Sequence, residues 1–252
     1  MRSYSFAVAT LFAVSLGSVA DAAELQVFCP PLVRDGLDKL AVAFTAQTGT
    51  HVTVKSEVMG KLVADVRTGT PDVVLLPPDM MDALDKDGGV KAGSRVPLAR
   101  VEIALAVRAG ARHPDISTVE KTRAALDEAK ALVYSEPGPP RNSMEAGIIA
   151  GLLKRPEFAA VHGRPVPQAN GSGVVALARG DGDMTLQVIP EILPHKEVEL
   201  VGPLPAELGA HIDTVAAISS RAANPDEAGA FLRYITRTDA TAIWKEAGIN
   251  RF

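Results

Sequence analysis

The sequence predicts a layered α/β protein, and three features carry that expectation. Stretches of strand length, apolar or alternating, recur between segments whose apolar residues are spaced near 3.6, so β-then-α units follow one another. Asp72-Val-Val-Leu-Leu76 is continuously apolar, which suits a strand buried on both faces of a parallel sheet. The rhythm restarts after Val107 and ends in a late run of helices, with no Ser/Gly-rich linker between the two series. Two α/β series without a soft linker point to lobes joined by strands rather than by a tether.

The first residues read as an address. Arg2 precedes an apolar run, Phe6 to Leu16, and Ala20-Asp-Ala22 supplies the small residues of a signal-peptidase site. Residues 1–22 are therefore expected to be a secretory signal, and the mature chain to work in the periplasm. Cys29 lies beyond that site in Val-Phe-Cys, a context unlike that of a lipidated cysteine.

Along the mature chain, Glu24 to Cys29 alternates as a strand and is ended by Pro30-Pro31. Leu32, Leu37, Leu40, Ala41 and Phe44 then mark a helix that stops at Gly49. His51–Ser56 predicts a strand, Lys61–Arg67 a helix ended by Gly69, Asp72–Leu76 a strand, and Pro77-Pro-Asp79 with the Asp82–Asp87 segment a third helix ending at Gly88-Gly89. Val101–Val107 predicts the next strand. Ser117-Thr-Val-Glu120 has capping-box spacing and opens a helix to about Lys130. Ala131–Tyr134 (strand), Ser143–Lys154 (helix), Arg164–Gln168 (short strand), Gly173–Arg179 (helix) and Met184–Val188 (strand) complete the second series. Val198–Val201 and Ile212–Ile218 predict further strands. Asn224-Pro-Asp-Glu227 caps a helix, and Thr238–Ala247 makes the last one.

Composition narrows the function. Charge is nearly balanced, 26 basic against 30 acidic residues, which gives no basic footprint for nucleic acid. One cysteine excludes an intrachain disulfide, a cysteine-based zinc site and an iron–sulfur cluster. The five histidines, His51, His113, His162, His195 and His211, have no metal-ligand spacing, so no metal or cofactor is expected. No Gly-x-Ser-x-Gly, Walker loop, His-Glu-x-x-His or Rossmann fingerprint is present. Asp79, Asp82, Asp85 and Asp87 fit the solvated face of a helix.

What remains is the set of loops at the carboxyl ends of the strands, where open α/β sheets bind ligands and helix N-termini attract anions. They are Cys29-Pro-Pro31, Glu57-Val-Met-Gly60, Pro139-Pro-Arg-Asn-Ser143, Asn170-Gly-Ser-Gly173 and Gln187. With seven Phe, three Tyr and one Trp in the chain and none in these loops, no stacking platform for a sugar or nucleobase is expected.

Pro71-Asp-Val-Val-Leu-Leu-Pro77, Gly93 to Gly110, Pro114-Asp-Ile-Ser-Thr118, Val133-Tyr-Ser135, Leu177-Ala-Arg-Gly180, Glu191-Ile-Leu-Pro194 and Val198 to Leu208 resemble the periplasmic molybdate-binding-like solute receptors of ABC importers. The resemblance covers nearly the whole mature chain. It implies the type II periplasmic-binding fold: two α/β lobes, two crossing strands near Ile103–Arg108 and Leu200–Pro205, and a ligand in the cleft. Residues 23–104 and 204–252 would form lobe 1 and residues 105–203 lobe 2. It also implies a small-molecule ligand, an inner-membrane ABC permease as partner, and a monomer.

The loops depart from the oxyanion receptors of that family. Prolines stand where amide donors are expected, Val58-Met59 where small residues are, and Arg141 brings a guanidinium suited to a carboxylate. A small organic anion is thus favoured over molybdate. Arg141, Asn142, Ser143, Ser172, Gly173 and Gln187 are the expected ligand groups, with Cys29 and Met59 shaping the wall. The alternative is catalysis on the same scaffold, since aconitate isomerase is similar to this family. Arg141 would then hold a carboxylate of a tricarboxylate, and Glu57 or Glu136 would shift the proton that moves its double bond.

Overall fold

The computed structural model describes residues 23–139, 143–167 and 170–252, so the expected signal segment lies outside the described residues. The chain opens with β1 (Glu24–Cys29), a 3₁₀ turn at Pro31–Val33 and α1 (Arg34–Thr48). Gly49, at φ 80°, ends α1 in the left-handed conformation and returns its N–H to Thr45 O. β2 (His51–Ser56), α2 (Met59–Thr68), β3 (Val73–Leu76) and α3 (Pro78–Lys86) follow. β1 lies between β2 and β3, parallel to both, so all three strands end at the same edge. β3 is fully buried along its length, as its unbroken apolar run predicts.

β4 (Val96–Arg108) is the longest strand and joins the two halves. Its first part, through Glu102, pairs with β9 (His211–Ile218) on one side and with β10 (Asn250–Arg251) on the other. From Ile103 onward it pairs instead with β7 (Met184–Val188), and from Ala104 with β8 (Val198–Pro203). The strand begins five residues earlier than the sequence predicts. Pro97 reads as a breaker, but it sits at a register shift against β9, where a missing donor is tolerated.

The second half contains α4 (Val119–Asp127), β5 (Leu132–Ser135), α5 (Met144–Leu153), β6 (Gly163–Val166), α6 (Gly173–Ala178), β7 and the four-residue α7 (Ile189–Ile192). β5 is parallel to β6 and β7. The helix cap expected at Ser117 lies one residue later: Thr118 is the N-cap, and its hydroxyl accepts from Lys121 N. The whole path reads β2-β1-β3-β9-β4-β7-β5-β6, with β8 and β10 on the flanks of β4.

The chain returns to the first half through Leu204–Ala210, where Ile103 is bonded on both sides: its N–H donates to Ala210 O and its carbonyl accepts from Leu204 N. α8 (Pro225–Thr236) and α9 (Ala240–Glu246) then pack on α1. Phe44 meets Phe231 and Tyr234 edge-on at 5.2 Å, and Trp244 lies against Gly36, where a Cβ would come within 2.5 Å of the ring. Asn224 occupies the N-cap position of α8, but its amide donates to Glu24 O instead of capping. Its N–H goes to the buried carboxylate of Asp72, which also accepts from Gln26 N and so ties β1 to the start of α8.

A candidate ligand cleft between the two halves

The carboxyl ends of β1 and β2 in the first half and of β5 and β7 in the second lead to loops that meet across one cleft. A cavity of about 190 Å³ lies there. Pro30, Pro31, Leu32, Val58 and Met59 form its wall on the first-half side; Ser143, Met144, Glu145 and Glu191 form it on the other. A neighbouring cavity of about 270 Å³ shares Pro31, Leu32 and Glu191 and adds Asp35, Ser172 and His195, among others.

Two ten-residue helices begin at the smaller cavity, α2 at Met59 and α5 at Met144. Val58, the N-cap of α2, offers no side-chain acceptor, and its carbonyl takes the N–H groups of Lys61 and Leu62. Ser143, the N-cap of α5, accepts from Ala146 N at 3.2 Å. The earliest N–H groups of any helix lack an intrahelical partner, so both ends present donors and partial positive charge. Met144 also packs against the cluster of Phe28, Met59 and Leu62, spanning the cleft with an apolar contact.

The expected ligand residues divide by position. Met59 and Ser143 line the smaller cavity, and Ser172, the N-cap of α6, lines the larger. Gly173 and Gln187 are buried behind them around Ser135. The Ser135 hydroxyl oxygen accepts from Gly173 N and from Gln187 Nε2, each at 3.2 Å, while Gln187 Oε1 accepts from Val188 N at 2.9 Å. Gly173 has no room for a side chain: a Cβ would lie 2.7 Å from both Thr185 Oγ1 and the Tyr134 Cα. These two residues therefore set the backbone of the cleft loops instead of lining either cavity.

Cys29 departs from the expected wall position. It is fully buried in the main core with Leu25, Val27 and Val33, and burial pushes its thiol up to about 12. Arg141 and Asn142 lie outside the described residues. Glu57 accepts from Lys61 Nζ at 2.9 Å, and Glu136 is exposed with its N–H on Val166 O; neither lines the two cavities. Among the described residues, the carboxylates of the two cavities that sequence reasoning missed are Asp35, Glu145 and Glu191. Glu191 follows Pro190 in Ile-Pro-Glu-Ile, a helix of four residues that is too short to show a period.

Two α/β halves sharing a long strand, with strand-end loops of both around one cavity, define the type II periplasmic-binding fold. The chain belongs to the bacterial extracellular solute-binding proteins, whose family pattern matches residues 25–250. In fold it is similar to the substrate-binding domain of a putative molybdenum ABC transporter from Clostridium difficile. That TM-score is 0.76 at 13% identity, covering 92% of this chain and 100% of that one. The periplasmic molybdate-binding protein of Azotobacter vinelandii gives 0.65 at 20% identity, covering 89% and 98%. In sequence the chain is 28% identical over 183 residues to an aconitate isomerase from a Pseudomonas species, 73% of this chain and 68% of that protein.

Proposed function

We propose that this protein captures a small organic anion in the cleft and delivers it to the membrane permease of an ABC importer. The observation that carries this reading is the convergence of α2 and α5 on one cavity walled by Leu32, Val58, Met59 and Met144. Helix N-termini favour a carboxylate. The thioethers and aliphatic groups favour carbon beside it over the fully hydrated surface of molybdate. About 190 Å³ suits a small acid and is below the range of drug-sized sites.

In this reading residues 1–22 direct export to the periplasm, and the mature chain works as a monomer. Lobe 1 (23–104 and 204–252) and lobe 2 (105–203) close about Ile103, a hinge motion. Ser143, Ser172 and Arg141 complete the ligand shell, Arg141 by bidentate pairing with a carboxylate. Thermal-shift and calorimetric titration of the purified protein with di- and tricarboxylates, molybdate and sulfate tests it. The expected outcome is binding of organic acids alone; molybdate as the tightest ligand would overturn it.

The similarity to aconitate isomerase supports a second reading, an isomerase that shifts the double bond of a tricarboxylate. The base would then come from a carboxylate on the cavity wall rather than from Glu57 or Glu136. Incubation with trans-aconitate, followed by chromatography for the cis isomer, separates the two. Turnover lost in Arg141→Ala favours the isomerase, and binding without turnover favours the receptor.

A further inference from the structure

We propose that Glu191 makes the cleft selective for hydroxycarboxylates, acids that carry a hydroxyl beside a carboxylate. The proposal rests on the reading of the cleft as a carboxylate site and names its ligand class. Among the described residues, Glu191 is one of three shared by both cavities, and the other two, Pro31 and Leu32, bring no polar side chain. A ligand filling this region therefore meets a carboxylate on one side and apolar groups on the other.

The position of Glu191 is set from the core. It lies in the first turn of α7, directly after β7. The Val188 N–H at that junction is held by Gln187 Oε1, and Gln187 is in turn fixed by Ser135. An ionised carboxylate only accepts hydrogen bonds, and its two oxygens offer about four acceptor sites. Glu191 can thus keep an internal partner and still accept a proton-bearing group from a ligand. It repels a second carboxylate and any fully deprotonated oxyanion, and it bonds to a hydroxyl, a charge-assisted pair stronger than a neutral one. Glu145 lines the smaller cavity alone, at the start of α5, and does not touch the boundary between the two.

Calorimetric titration with L-malate, succinate and L-aspartate tests this on the wild type and on Glu191→Gln. Wild type is expected to bind malate more tightly than succinate by about tenfold, the worth of one charge-assisted hydrogen bond. In Glu191→Gln both ligands are relieved of the like charge but malate alone loses the charge-assisted bond, so the malate preference over succinate falls towards unity. A change that merely loosened the fold would weaken both alike, and circular dichroism checks that the variant is folded. Equal wild-type binding of malate and succinate, or a parallel shift of both in the variant, overturns the proposal and leaves the carboxylate site standing. Aspartate bound above malate also overturns it, since the donor would then be an ammonium. No binding of any of the three removes the underlying reading as well.

Discussion

The Gln187 amide donates to the Ser135 hydroxyl oxygen at 3.2 Å, and the Gly173 N–H converges on the same oxygen at the same distance. One side chain at the end of β5 thus holds the neighbouring strand β7 and the start of α6. Ser135→Ala leaves two buried donors without an acceptor, which costs about 1–3 kcal/mol. The expected readout is a Tm lower by roughly 3–10 °C for a chain of this size, with weaker ligand binding because the Ser172–Gly173 turn loosens. Ser135→Thr, which retains the hydroxyl, separates loss of the bond from altered packing.

The Cys29 thiol, raised to about 12 by burial, is predicted to resist alkylation in the folded protein and to react once urea unfolds it. Its effect on stability has a definite sign. Below about pH 8.5, the usual thiol value, the group is neutral in both states and changes nothing. Above that value the unfolded thiol ionises and the folded one does not, so stability falls as pH rises toward the folded value. Cys29→Ala lacks this alkaline loss, and the gap between the two proteins in urea midpoint should narrow or reverse between pH 8 and pH 10.

Much of this architecture was legible because burial leaves a period. The continuous apolar run of β3 and the 3.6 spacing along α1 follow from which faces meet the core. Cys29 could have been placed from the same rule, since Leu25, Val27 and Cys29 share one face of β1 by period two. α7 and β10 are different. Four residues and two residues hold no period, and β10 exists only through pairing with Arg100 and Ala99 about 150 positions earlier. The strand-end loops were legible as a class, but Glu191 was not, because its place between two cavities is a property of both halves together.

Arg100 grips Asp213 bidentately, Nε to Oδ1 at 2.7 Å and Nη2 to Oδ2 at 2.9 Å, across the β4–β9 pair close to the switch at Ile103. The guanidinium holds the Asp213 carboxyl below the usual carboxylate range. A lowered folded value means that the stabilisation is complete above about pH 4, the unfolded value, and is lost as pH falls through the folded one. Asp213→Asn should cost about 1 kcal/mol at pH 7, the upper end for ion pairs in contact with water. The gap between the urea midpoints of the two proteins should hold from pH 7 to pH 5 and shrink towards pH 3; a gap independent of pH would assign the cost to packing instead.

Gly248 brings the end of the chain against α7, the helix that carries Glu191. A Cβ at this position would lie 2.5 Å from Ile189 Cγ2 and 3.1 Å from Leu193 Cδ1, and its φ of 76° is one that side chains disfavour. Gly248→Ala therefore combines a backbone cost of about 1–2 kcal/mol with a steric one of similar size. The two parts separate in a double-mutant cycle. Ile189→Ala removes the atom that is struck, so the double variant should recover the steric part, at least 0.5 kcal/mol of coupling. Ligand affinity should follow the steric part alone. Pushing Ile189 displaces α7, and with it Glu191, whereas the backbone cost stays at Gly248. Calorimetry on all four proteins measures this: affinity restored in the double variant while Tm stays partly depressed is the expected pattern. Affinity that tracks Tm throughout would mean that α7 does not transmit the contact to the cleft.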